Sequence, residues 1–144
     1  SQVSGFAPYG VEEVWAALQT VLMADDVRRM PMGLQSIVET GKISTGQEQR
    51  LVIARALLAR PSVLILDEAT NAIPDVMQAQ LFANLRAMGL TLILVTHRET
   101  AIAQMDRVVV VENGRVSWSG TPGELAGNAH ASAVLAAERQ EGHL

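Results

Sequence analysis

Two acidic residues follow a short apolar segment near the middle of the chain. Residues 63–66 are Val-Leu-Ile-Leu, and Asp67 and Glu68 come directly after them. An apolar run of this length predicts a fully buried parallel strand, and ligands of an α/β sheet bind at the carboxyl ends of such strands. Asp67 would hold Mg²⁺ through water, and Glu68 would orient an attacking water and accept its proton. The pair indicates metal-assisted phosphoryl chemistry, and a solvated acid pair at a sheet edge is the alternative.

A second candidate segment, Ser-Thr-Gly-Gln at residues 44–47, precedes a stretch of strong helix formers. Ser44 and Gln47 have the spacing of a capping box, and so do Thr45 and Glu48. One interpretation is that the hydroxyls only cap the helix, with Glu48 turned back onto its own first turn. The other is that this glycine-containing helix N-terminus, with its free N–H groups and positive dipole end, receives an anionic phosphate.

A histidine follows a second apolar segment. Residues 89–96 have the pattern of another buried strand, and His97 comes next. A histidine by itself is more often packed or solvated than catalytic. A position after a second parallel strand favours a role at the same edge of the sheet as Asp67 and Glu68.

The remaining pattern predicts the elements that must position these residues. Asn113-Gly114 lies between two apolar runs and predicts the turn of a β-hairpin. Pro122 suits the first turn of a short helix. The predicted elements are helices over residues 11–26, 48–60, 75–88, 121–125 and 129–140, and a hairpin over residues 106–120.

Composition excludes several classes of protein. The net charge of −4 and the aromatic content of 3% argue against nucleic-acid binding. The absence of cysteine excludes disulfides and thiolate metal sites. The apolar runs fall short of the ~20 residues that a membrane span requires. We therefore expect a soluble α/β chain.

The segments around residues 44, 67 and 97 resemble, in order and spacing, three motifs of the ATP-binding cassette (ABC) family. The family's signature is Leu-Ser-Gly-Gly-Gln, and residues 43–47 here are Ile-Ser-Thr-Gly-Gln. The resemblance implies a contact with the ATP held by an opposite subunit for four residues, which are Ser44, Thr45, Gly46 and Gln47. It also implies that Asp67 binds Mg²⁺ with the nucleotide, that Glu68 is the catalytic base, and that His97 is a switch residue for the γ-phosphate.

The loop after the acidic pair departs from the family pattern. Residues 69–75 are Ala-Thr-Asn-Ala-Ile-Pro-Asp, whereas the family normally has Ala-Thr-Ser-Ala-Leu-Asp. Asn71 stands where serine is usual, and Pro74 stands where aspartate is usual. Pro74 either starts the following helix or weakens communication between two active sites.

No Gly-x-x-x-x-Gly-Lys-[Ser/Thr] loop occurs among the 144 residues, although the family's chemistry requires one. The resemblance therefore implies the C-terminal part of a P-loop (RecA-like) ATPase domain, α/β with mainly parallel core strands, together with part of its helical subdomain. We expect three regions. Residues 1–42 form an entry segment and part of the helical subdomain, residues 43–128 carry the motifs of the ATPase core, and residues 129–144 form a C-terminal helix and tail.

The implied parent is an exporter at the cytoplasmic face of a membrane, driven by hydrolysis of MgATP. Its implied partners are a second nucleotide-binding domain in a head-to-tail dimer, the coupling helices of a transmembrane domain, and the missing phosphate-loop part of the same domain. Met-Pro-Met-Gly at residues 30–33 resembles bacterial peptide or bacteriocin exporters. Two alternatives remain: the C-terminal lobe of a DNA-repair or chromosome-organising ATPase, and a degenerate cassette that acts as an interaction module.

Overall fold

The computed structural model describes residues 9–35 and 43–141. Parts of the predicted regions 1–42 and 129–144, namely residues 1–8, 36–42 and 142–144, lie outside the described residues. The chain divides into two compact units, Ser1–Val95 and Thr96–Leu144. The three predicted regions follow motifs rather than compactness, and they stay a prediction.

The first unit consists of helices and a pair of parallel strands. Its elements are α1 (Val11–Thr20), α2 (Ala24–Arg29), a 3-10 turn (Gly33–Gln35), α3 (Thr45–Leu58), β1 (Val63–Asp67), α4 (Asp75–Ala87) and β2 (Thr91–Val95). Strand β1 pairs with β2 in parallel, so that Val63 lies opposite Thr91 and Asp67 lies opposite Val95. The two predicted parallel strands are confirmed.

The predicted single helix over residues 11–26 is wrong, because the chain breaks between α1 and α2. Leu22 has a φ of 64°, and the Met23 amide donates to the carbonyl of Leu18 at 2.8 Å. Val21 and Met23 are both fully buried. Residues two apart do not share a helix face, so a continuous helix would have exposed one of them. The break lets both side chains enter the core.

The core of the first unit lies on one side of the strand pair. Helix α1 packs against α3 and α4, and α4 also contacts β2. Leu64 and Leu66 are buried, whereas Val63 and Ile65 are 48% and 64% exposed. The prediction of a fully buried strand is therefore wrong for β1. It is also wrong for β2, in which Thr91, Ile93 and Val95 are exposed. The described helices cover only one face of these two strands.

The second unit contains a β-hairpin and three helices among the described residues. Its elements are α5 (Glu99–Ile102), β3 (Val108–Glu112), β4 (Arg115–Gly120), α6 (Pro122–Ala126) and α7 (Ala129–Glu141). Strands β3 and β4 are antiparallel. Asn113 and Gly114 have φ values of 51° and 76°, as the favoured two-residue hairpin turn requires. The predicted hairpin is confirmed.

Within residues 9–35 and 43–141, no helix combines the length and the apolar character of a membrane span.

Candidate functional site

The N-terminus of α3 is capped by a capping box, in which Ser44 and Gln47 hydrogen-bond to each other. Ser44 has an extended backbone and is the N-cap residue. The Gln47 amide donates to Ser44 Oγ at 3.1 Å, and the Ser44 amide donates to Gln47 Oε1 at 3.0 Å. This confirms the first of the two predicted capping boxes. The second is wrong, because Thr45 is already the first helical residue and the exposed Glu48 is not part of the cap.

The first turn of α3 lies against the loop that follows the acidic pair. A Cβ atom at Gly46 would lie 2.7 Å from the carbonyl oxygen of Ala72, which is closer than real Cβ atoms approach another atom. The glycine is therefore required by packing within this chain, whatever ligand the helix N-terminus receives. The close approach leaves the turn and the loop little freedom to move separately.

A buried arginine also contacts the first turn of α3. Arg50 is only 5% exposed, and its guanidinium donates to the carbonyls of Leu22 at 2.8 Å and Gly46 at 3.4 Å. Asp26 Oδ2 lies 3.5 Å from Arg50 Nη2 and 3.4 Å from Gln47 Nε2. The carboxylate thus contacts both the buried arginine and the capping glutamine.

Sequence reasoning missed Arg50 and Asp26. A signal for Arg50 was present, because it stands three, four and seven residues before Ile53, Ala54 and Leu57, all of which are buried. An arginine on the apolar stripe of a helix predicts a buried, partnered charge. No comparable signal marks Asp26, which lies 24 residues away in the chain.

A glutamine amide forms a second link between α3 and the loop. Gln49 Nε2 donates to Asn71 Oδ1, and the Ala72 amide donates to Gln49 Oε1 at 2.9 Å. Farther along, Pro74 is the N-cap residue of α4, and its carbonyl accepts from the Gln78 amide at 2.8 Å. Pro74 therefore starts the helix, but as its N-cap, one residue before the predicted first turn. Its predicted effect on communication between two active sites stays a prediction.

The two candidate acids lie where β1 ends. Asp67 is the last residue of the strand, and both Asp67 and Glu68 are exposed. Glu68 leaves the sheet with a φ of 53°, while its amide donates to the carbonyl of Val95 at 2.9 Å. A left-handed conformation costs a non-glycine residue about 1–3 kcal/mol, and such residues cluster at functional sites. The geometry suits an acid pair presented at the carboxyl end of the strand.

The Asp67 carboxylate is a suitable ligand for a hard cation. Asp67 offers carboxylate oxygens at an accessible strand end, which suits Mg²⁺ with part of its water shell retained. Among the described residues, no group of three or more His, Cys, Asp or Glu side chains could enclose a metal ion. Asp67 is therefore suited to a shared site that water and a ligand complete.

His97 belongs to the second unit, two residues after β2 ends. It is half-buried, and the Arg98 amide donates to Thr96 Oγ1 at 3.0 Å, which fixes the turn around it before α5 begins. Its predicted partnership with Glu68 involves residues of both units and stays a prediction.

Comparison with known proteins agrees with these motifs. The sequence profile of the family described as "ABC transporter" matches residues 10–71. The ATP-dependent lipid A-core flippase of Cupriavidus metallidurans is 42% identical over 115 residues, which are 77% of this chain and 19% of the flippase. The lactococcin transport/processing ATP-binding protein LcnC-like of Lactococcus lactis is 34% identical and is matched over 79% of this chain and 16% of its own length. The chain thus spans about a fifth of the length of these relatives.

A solved structure shows the same fold. A bacterial Atm1-family ABC exporter with ATP bound superposes with a TM-score of 0.82 at 31% identity, over 95% of this chain and 25% of the exporter. The predicted α/β fold of a P-loop ATPase domain is confirmed. The chain belongs to the ATP-binding cassette family and corresponds to the part of an exporter-type nucleotide-binding domain that carries the signature segment and the acidic strand.

Proposed function

We propose that this chain supplies the signature helix, the metal-binding aspartate and the general base of a nucleotide-binding domain that hydrolyses MgATP and drives export across a membrane. One observation carries the proposal. The loop that begins at Glu68, at the end of a parallel strand, is hydrogen-bonded to the helix that Ser44 caps. The two motifs therefore form one connected structure.

Asp67 would bind Mg²⁺, which neutralises charge that develops on the transferred phosphoryl group. Glu68 would orient the attacking water and accept its proton. His97 would contact the γ-phosphate and hold the base in position. The N-terminus of α3, residues 44–47, would present backbone N–H groups to the phosphates of a nucleotide held by a second domain in a head-to-tail dimer.

The exposed face of β1 and β2 supports a partner within the same domain. Val63, Ile65, Ile93 and Val95 lie on this face, and each is about half exposed or more. Burying such a continuous apolar face is favourable by about 25 cal/mol per Å². We propose that the phosphate-loop part of the domain covers it, as expected for a parallel sheet with both faces covered.

Membership of the family supports a proposal for the remaining partners and the location. We propose that the region over residues 1–42 faces the coupling helices of a transmembrane domain, at the cytoplasmic face of the membrane. The cargo is left open, because the names of the relatives include a lipid A-core flippase and a lactococcin transport protein. The peptide-exporter subfamily stays a prediction, and a DNA-repair lobe is not favoured by these relatives.

The test is made in the longer protein that contains the complete domain. Glu68→Gln should abolish steady-state ATP hydrolysis while preserving ATP binding, because the amide keeps the shape but cannot accept the proton. Glu12→Gln, which makes the same change at an exposed acid on α1, should keep both activities. Normal turnover in Glu68→Gln would place the base elsewhere, and no turnover in the unchanged protein would favour a degenerate cassette.

A second variant tests the histidine. His97→Ala should remove most of the hydrolytic activity, because the γ-phosphate would lose one of its proposed contacts. Kinetics like those of the unchanged protein would reduce His97 to a packing residue.

A further inference from the structure

We propose that Gln49 and Asn71 form an amide clamp that holds Glu68 in its working position, so that both act as positioning residues for ATP hydrolysis. The clamp consists of the Gln49 side chain, the Asn71 side chain and the Ala72 backbone amide. The inference rests on the function proposed above, because it assigns these residues to the reaction of Glu68.

The clamp has one orientation. The Ala72 amide can only donate, so the end of the Gln49 side chain that meets it must be the oxygen. Gln49 Nε2 therefore points at Asn71 and requires the oxygen of that side chain as its acceptor. Both ends of the Gln49 amide are occupied, and this fixes the side chain and the two loop residues that it contacts.

The loop transmits this constraint to Glu68. The Asn71 amide faces the carbonyl of Glu68 at 3.5 Å, and the Ile73 amide donates to the carbonyl of Thr70 at 3.1 Å. Thr70 and Ile73 are buried, each with about 1% of its surface exposed. Anchored in this way, the turn cannot shift at Asn71 without also moving the backbone of Glu68.

The other side of Glu68 is also fixed, and its backbone is strained. Its amide donates to the carbonyl of Val95, while its φ of 53° is unfavourable for a side chain of this size. A strained residue keeps its conformation only while its surroundings hold it. The clamp restrains Glu68 from the loop that follows it, and the hydrogen bond to Val95 of β2 restrains its amide.

The clamp also explains why asparagine stands at position 71. Its side-chain oxygen is one bond farther from the backbone than a serine hydroxyl, and it lies within hydrogen-bonding distance of the Gln49 amide. Asn71→Ser would shorten the side chain and leave Gln49 Nε2 without this acceptor. The departure from the family pattern at this position therefore has a structural use.

The first experiment is a double-mutant cycle in the complete domain, with Gln49→Ala, Asn71→Ala and the double variant. Each single variant should lower kcat about tenfold and leave the KM for MgATP within about twofold, because positioning of the base affects the transition state more than binding. The double variant should be no worse than the more severe single variant, since both remove the same contact. Gln80→Ala is the matched control, because it removes a similar amide pair with Asn84 on α4, and it should leave kcat unchanged.

Charged variants separate positioning from general stability. Gln49→Glu alone should keep the contact, because the Asn71 amide can turn and donate to the carboxylate, and Asn71→Asp alone should keep it because Gln49 still donates. The double variant Gln49→Glu with Asn71→Asp places two carboxylates together and should lose kcat as the alanine variants do. Thermal unfolding is measured for every variant, and the melting temperatures should not fall in parallel with kcat.

The outcomes separate this inference from the proposed function. If the unchanged protein hydrolyses ATP and Glu68→Gln does not, the function stands. Unchanged kcat in the alanine variants, or effects that simply add, would then overturn the clamp alone. No hydrolysis in the unchanged protein would overturn both.

Discussion

The two halves of the proposed site differ in how far this chain completes them. At the N-terminus of α3, Ser44 and Gln47 cap each other, and the buried Arg50 is paired with Asp26. At the carboxyl end of β1, Asp67 is exposed, and one apolar face of β1 and β2 is also exposed. The difference teaches that the signature half is held in place by contacts within this chain. The half at the end of β1 is exposed, and we propose that the rest of the domain completes it as a nucleotide site.

The largest expected effect concerns ATP. The chain by itself has no glycine-rich loop with a lysine to surround the β- and γ-phosphates, so it should not bind MgATP appreciably. Isothermal titration calorimetry of the isolated chain measures this directly. Stoichiometric binding at micromolar concentration would break the comparison, because it would show that the open half is already a complete site.

The signature half should depend most on its buried charge. Arg50→Ala should lower the free energy of unfolding by about 3 kcal/mol, since it leaves the part-buried Leu22 carbonyl without this donor and leaves Asp26 with Gln47 but without the arginine. We expect the lower end of the usual range because the Asp26 side chain is still 30% exposed and can be hydrated. Arg55→Ala, at an exposed position on the same helix, should change the unfolding free energy by less than about 0.5 kcal/mol. Equal effects of the two variants in chemical denaturation would show that Arg50 does not hold the helix.

The two halves also differ in which of their features could be predicted from the sequence. Local signals predicted both the parallel strands and the hairpin, because apolar runs and an Asn-Gly turn act over a few residues. The partner of Arg50 could not be predicted, because Asp26 lies 24 residues away in the chain and no local pattern encodes so distant a contact. The break at Leu22 was also missed, because it depends on the burial of both Val21 and Met23. The open face of β1 was missed for a related reason. An apolar run looks the same whether or not the neighbour that would cover it belongs to the chain.

The next prediction tests the close contact between α3 and the loop. Gly46→Ala should lower the free energy of unfolding by about 1–3 kcal/mol, because the new Cβ atom meets a backbone oxygen that can move away only with the loop. Elsewhere in a helix, alanine is better than glycine by up to about 1 kcal/mol. Gly123→Ala in α6 is the control, since its Cβ atom would meet only Thr121 Oγ1, at an ordinary contact distance of 3.9 Å, and it should be neutral or stabilising. Stabilisation at both positions would disprove the close approach.

A smaller effect is expected for the acid beside the signature. Glu48→Ala should change the unfolding free energy by less than about 1 kcal/mol, because Glu48 contributes only a charge near the positive end of the helix. Ser44→Ala, which removes the cap itself, should cost about 1 kcal/mol or more. In the parent, Glu48→Ala should tighten ATP-driven dimerisation, because it removes a negative charge near the nucleotide. Sedimentation with and without ATP measures this. Weaker dimerisation would show that Glu48 supports the site.

The smallest effect lies in the second unit, outside both halves of the comparison. His130 Nε2 of α7 lies 2.7 Å from Glu112 Oε2 at the end of β3. Hydrogen bonds from Ser117 and then from His130 hold the pKa of Glu112 below its ordinary value. A carboxyl group whose pKa is lowered by folding stabilises the folded state above the unfolded-state pKa. That contribution is lost as the pH falls through the lower folded-state value.

Acid titration of thermal unfolding checks this sign. Glu112→Gln should flatten the acid-side decrease in the melting temperature of the chain, because an amide does not titrate. Glu138→Gln, an exposed acid on α7, should leave the decrease unchanged. The change should also leave the signature half untouched, so the effect of Arg50→Ala should be the same in both backgrounds. A changed Arg50→Ala effect would mean that the two substitutions are not energetically independent.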